Sequence, residues 1–109
     1  MDTVALTATG STQATAAEIK GIWSPALIIS AGDSLLGIRL PGASKGKMFA
    51  VKNTGPAGGF GGLNVYPATG GAINALSTNA PLVMSALSSA WFIASTDGLT
   101  WHTIPTIPS

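Results

Sequence analysis

The chain holds few residues that can do acid–base or metal chemistry. It has one histidine, His102, no cysteine, and a lone glutamate, Glu18. A Ser-His-Asp site needs three groups in mutual hydrogen-bond reach. Serines are plentiful, but only Asp2, Asp33 and Asp97 could orient His102. Asp33 and Asp97 each sit beside a glycine, where aspartate shapes a backbone turn. A glycosidase needs two spaced carboxylates, and Glu18 has no partner at suitable spacing. Metal centres need clusters of His, Cys or carboxylate ligands, and the spacing provides none. His102 therefore reads as a strand residue on the face opposite Trp101. No catalytic residue, cofactor site or metal site is expected, and the chain reads as non-enzymatic.

Two glycine-rich stretches resemble phosphate-binding loops without completing them. Gly42–Lys47 is one residue short of a P-loop, and Met48 stands where Ser or Thr binds magnesium. Gly59-Phe60-Gly61-Gly62 lacks the third glycine of a dinucleotide fingerprint. Both read as loops. Ser95–Trp101 resembles the Asp-box hairpin of sialidase-like propellers, with no residue between Asp and Gly, and reads as a structural turn. Nucleic-acid binding needs clustered Lys and Arg. There are five basic residues, and only Lys45, Lys47 and Lys52 lie close together.

What the sequence has instead is apolar surface with little charge to cover it. Hydrophobic residues make up 46% of the 109, charged residues only 8%, and the net charge is +1. A typical soluble domain carries about 25% charged residues. Disorder needs low hydrophobicity and high charge, so a folded domain is expected. The length suits a single domain, 1–109, with 1–22 as a possible N-terminal arm. No apolar run approaches the roughly 20 residues of a membrane helix. Asp2 near the N-terminus and the lack of an apolar h-region argue against a secretory signal. Synthesis in the cytoplasm of the producing cell is expected.

Gly, Pro, Ser and Thr punctuate the chain every few residues, and no stretch keeps a helical apolar period. Short segments rich in Val, Ile, Phe, Trp and Thr lie between turn signals, which is the all-β pattern. Strands are expected at Thr3–Thr9, Trp23–Ser30, Leu35–Leu40, Lys47–Lys52, Leu63–Tyr66, Pro81–Ser85, Trp91–Ser95 and Thr100–Ile104. A short extended segment should carry Ile73. Gln13–Ile19 suits a strand, although Thr15-Ala16-Ala17-Glu18 also fits a capping box. Asp97-Gly98 is the strongest hairpin turn. The expected architecture is a single-domain antiparallel β-sandwich or a jelly-roll-like barrel. Lys47–Lys52 is apolar on both faces, so something should cover both. In Trp91-Phe92, alternation sends one ring to each face.

From Gly32 onward the chain resembles a class of small tailed-bacteriophage virion proteins. The stretches that carry this are Gly32-Asp33-Ser34, Arg39-Leu40-Pro41, Gly46–Gly55 and Leu63–Asn74. The Val65-Tyr66-Pro67-x-x-Gly70-x-x-Ile73-Asn74 block is the most specific part. The resemblance implies an all-β structural part of the virion, and within that class a capsid cement (decoration) protein on the capsid surface. Its partners would be the major capsid protein and further copies of itself, with a trimer first and a dimer second. Neither direct nucleic-acid contact nor membrane contact is implied. A tail or spike component that binds a host receptor or glycan is the alternative.

The shortage of charge points the same way, because interface cores lose charged residues and gain aromatics and Met. Val4 and Leu6 in the N-terminal segment, Trp23, Phe60 in the Gly55–Gly62 loop, and Trp91 are the interface candidates.

Overall fold

The computed structural model describes residues 2–56 and 61–106. The strands are β1 (Asp2–Ala5), β2 (Ala17–Glu18), β3 (Ala26–Ser30), β4 (Gly37–Arg39) and β5 (Met48–Asn53). They continue as β6 (Leu63–Tyr66), β7 (Ala72–Ile73), β8 (Leu82–Met84), β9 (Ser89–Ala94) and β10 (Thr100–Ile104), with one 3-10 turn at Gly21–Trp23. The all-β expectation holds. The strands form two sheets, ordered β1-β3-β5-β9-β10-β7 and β2-β4-β6-β8.

Successive strands alternate between the sheets from β1 to β9. Consequently β1, β3 and β5 run parallel, as do β2, β4 and β6. The β7–β10 pair is also parallel, whereas β5–β9, β9–β10 and β6–β8 are antiparallel. This corrects the expected antiparallel topology. The first six strands wind as a flattened, solenoid-like coil. Parallel neighbours need a crossover, and among β1 to β6 each crossover carries one strand of the opposite sheet. Turn residues mark where the chain bends, but they do not say to which layer it goes next.

Residues 2–22 belong to this coil. They supply β1, β2 and the buried Ala8, Ala16 and Ile19. The segment Gln13–Ile19 is extended only at Ala17–Glu18, after a turn in which the Thr12 and Thr15 hydroxyls bond each other at 2.8 Å.

One core lies between the sheets. The larger sheet contributes Ala26, Ile28, Phe49, Val51, Phe92 and Trp101; the smaller contributes Ile38, Leu63, Val65, Leu82 and Met84. The Phe49 and Trp101 rings meet at 5.9 Å between centroids, tilted by 46°. The Trp101 indole N–H donates to the Pro41 carbonyl at 3.2 Å. That bond gives the one polar atom of the buried ring a partner.

Asn53, at the end of β5, is fully buried. Its Oδ1 accepts from the backbone N–H of Gly32 at 2.7 Å and of Gly55 at 2.9 Å. Its Nδ2 donates to the carbonyls of Gly61, Met84 and Ser85 at 2.8, 3.1 and 3.0 Å. One side chain thus ties the turn after β3, the end of β5, the entry to β6 and the exit of β8. The backbones it gathers are too close for side chains. A Cβ on Gly32 would strike the Gly61 carbonyl, and one on Gly61 would strike Pro56.

Stranding buried amide and carbonyl groups costs about 1–3 kcal/mol each. Asn53→Ala should therefore lower stability by about 4 kcal/mol or more, read from urea or thermal melts. The nearly isosteric Asn53→Asp should be no better, since it sets a carboxylate oxygen against three carbonyls. An Asp variant as stable as wild type would contradict this assignment.

Candidate interaction face

The two sheets differ on their outer sides. The outer side of the smaller sheet is covered over β4 and β6 by the chain between β1 and β2, while Val83 on β8 stays 50% exposed. The Tyr66 hydroxyl donates to the Ser11 carbonyl at 3.0 Å. Gln13 Nε2 donates to the Pro67 carbonyl at 2.8 Å and to Asn79 Oδ1 at 3.1 Å. Arg39 Nη1 donates to the Gln13 carbonyl at 2.9 Å. Thr9 bridges Gly37. All four residues of β6 are buried: Leu63 and Val65 by the core between the sheets, and the outward Tyr66 beneath this strap.

No such strap crosses the larger sheet among the described residues. Strand alternation puts every second residue on its outer side. The register sets Thr3, Leu27, Ala50, Trp91 and Ile104 in one row across five strands. A second row holds Ala5, Ile29, Lys52 and Ser89, and a third holds Met48, Ile93 and His102. Leu27, Ile29, Met48, Trp91 and Ile93 are half-buried, and Ile104 is 59% exposed. A groove of about 240 Å³ runs over the first row, with Leu27, Ala50, Trp91, Ile104 and Pro105 as its apolar wall and Lys52 and Ser89 at its side. A second hollow of about 270 Å³ lies between Ala5, Leu6, Thr7, Ile29, Ala31 and Thr54. The result is a mostly apolar sheet face whose lone lysine is Lys52.

Trp91-Phe92 divides as expected. Phe92 is fully buried, and Trp91 stands on the outer face. Val4, Leu6 and Trp23 are half-buried and pack against the core from its rim; Leu6 also borders the second hollow. Phe60 lies outside the described residues. The structure thus brings Trp91 together with Leu27, Ile29, Met48, Ala50, Ile93 and Ile104, which were not singled out from the sequence. Their signal was present, because Ala26–Ser30 and Ser89–Ala94, like Met48–Asn53, carry apolar residues at both odd and even positions.

His102 is exposed on this same face. The Asp97 carboxylate is engaged locally. Oδ1 accepts from the Leu99 and Thr100 N–H groups at 2.8 and 2.9 Å, and Oδ2 from the Thr100 hydroxyl at 2.9 Å. Gly98 has φ of +77° in the same turn. Among the described residues no group of three or more His, Asp or Glu could hold a metal ion, and no helix is long and apolar enough to cross a membrane. No protein-family model matches this sequence, and no curated protein shows significant similarity to it.

The bond from the Leu99 N–H, then those from the Thr100 N–H and hydroxyl, hold the Asp97 carboxyl below its ordinary range. A native pKa depressed below the unfolded value of about 3.9 favours the fold above that value, and the gain is lost as pH falls through the native pKa. Asp97→Asn keeps an acceptor for the two N–H groups but loses the charge. Wild type should melt higher than Asp97→Asn at pH 7, and the gap should narrow at pH 3. A gap independent of pH would contradict the role given to the charge.

Proposed function

We propose that this protein is a non-enzymatic structural component of a tailed-phage virion, of the capsid cement (decoration) type. It docks through the outer face of its larger sheet onto neighbouring major capsid subunits at the capsid surface. The observation that carries this reading is the uncovered row Leu27–Ala50–Trp91–Ile104 on a chain with almost no charge. Exposed apolar patches of this kind mark interaction sites. The resemblance of Gly46–Gly55 and Leu63–Asn74 to small virion proteins supports the choice of partner.

The two sheets facing across one core suit the task. We read them as a sandwich-like layer pair wound as a coil, with one side strapped and the other presented. Docking adds binding free energy only to the assembled shell, so the shell is stabilised by mass action. Its physical purpose is resistance to the pressure of packaged DNA. The groove beside Trp91 also carries Lys52 and Ser89, which favours a tail or spike component binding a host glycan as the second reading.

Trp91→Ser and Leu27→Ser remove apolar area from a half-buried face. They should lower the melting temperature modestly while keeping a cooperative transition, since both side chains are half-buried, and weaken co-sedimentation with empty cognate capsids at least tenfold, about 1.4 kcal/mol or more. Unaltered capsid binding by both variants would exclude this face. Loss of binding to host polysaccharide, with no capsid binding by wild type, would select the glycan reading.

A further inference from the structure

Sheet edges expose unpaired N–H and C=O groups, and proteins blunt them with short strands, proline, lysine or other charges. Among the described residues the edges are β1 and β7 in the larger sheet and β2 and β8 in the smaller. β2 and β7 are two residues each; Glu18 on β2 pairs with Arg39 at 3.4 Å and with Lys20 at 3.8 Å. β8 has three residues and follows Pro81. β1 is the least blunted edge: its four residues, Asp2-Thr3-Val4-Ala5, include no proline, glycine or lysine, and its one charge, Asp2, sits at the N-terminal end, away from Thr3–Ala5. The Leu6 N–H donates to the Ile29 carbonyl at 3.0 Å. In a parallel ladder alternate residues bond the neighbour, so the N–H and C=O of Thr3 and Ala5 point away from β3. Thr3 and Ala5 are exposed, while Val4 and Leu6 are half-buried at the rim of the core.

We infer that β1 pairs antiparallel with β1 of a second copy, about a two-fold axis at Val4. In that register Thr3 and Ala5 of one chain exchange backbone bonds with Ala5 and Thr3 of the other. Val4 meets Val4 and closes the rim. Asp2 falls opposite Leu6, so no like charges face each other. The edge is self-complementary, as a two-fold interface requires. Area favours the same occupant. The outer face of one copy spans five strands, roughly 24 by 17 Å, or about 400 Å² in projection. A stable interface takes about 800 Å² from each partner. Two copies joined edge to edge present a continuous platform of about that size. This last point rests on the docking reading above; the pairing does not. A pair is the second of the two oligomers expected from sequence.

Sedimentation equilibrium of the full chain, from about 10 μM to 1 mM, tests the pairing. Wild type should approach twice 10.8 kDa, or 21.6 kDa, with rising concentration. Thr3→Pro/Ala5→Pro removes only outward-pointing donors and should stay at 10.8 kDa with a wild-type circular dichroism spectrum. Should that variant unfold, Thr3→Lys/Ala5→Lys sets lysines opposite each other on an exposed face and should weaken pairing at least tenfold. Trp91→Ser should still pair, which separates this interface from the docking face. A wild type that stays monomeric at 1 mM, a three-chain species, or lysine variants that pair as wild type does would each overturn the inference.

Discussion

Four chain segments at one end of the molecule, those after β3 and β5, before β6 and after β8, converge on the side chain of Asn53. A primary amide offers two donor hydrogens and an acceptor oxygen with two lone pairs. At Asn53 the oxygen serves two backbone N–H groups and the nitrogen contacts three carbonyls. All but the Gly55 N–H belong to segments further along or back in the sequence, by 8 to 32 residues, and burial denies them water. The amide therefore fixes where the chain leaves the larger sheet and where it enters the smaller one. With Asn53 in place, β5 is held at the centre of the six-stranded sheet, between β3 and β9. Its inward residues Phe49 and Val51 fill the core, and its outward residues Met48 and Ala50 join the bare face.

That bare face follows from an asymmetry in how the chain is spent. The strap from Thr9 to Ala16 covers β4 and β6 of the smaller sheet, and Tyr66, Gln13 and Arg39 fasten it there. No described segment does this for the larger sheet. Burying its apolar rows would yield roughly 25 cal/mol for each Å² removed from water, and a chain with so few charges has little else to keep that surface wet. The docking proposed for this face would cover those rows without added charge, and the pairing proposed at β1 would close the open edge beside them.

Much of the fold was legible. Turn residues and alternation located nearly every strand, because Gly, Pro, Asn and Asp act locally. Leu63–Tyr66 is a strand over its whole expected range, and Trp101 and His102 fall on opposite faces. The parallel winding was not legible, since choice of layer is decided by long-range packing and by Asn53, which in sequence looks like an ordinary turn residue before Thr54-Gly55. The site was half legible. Trp91 announced an outward ring, but Leu27, Ile29 and Ile104 join it only once register sets their strands side by side.

The central claim is that the outer face of the larger sheet is buried in the assembled particle. Hydroxyl-radical footprinting of the free protein and of decorated capsids tests it directly, because Trp91 and Met48 are both on that face and both react readily. The account predicts strong protection of Trp91 and Met48 on the capsid, with Val83 and Leu87, exposed elsewhere, labelled as in the free protein. Trp91 and Met48 labelled equally in both states, with protection at Val83 and Leu87 instead, would contradict it.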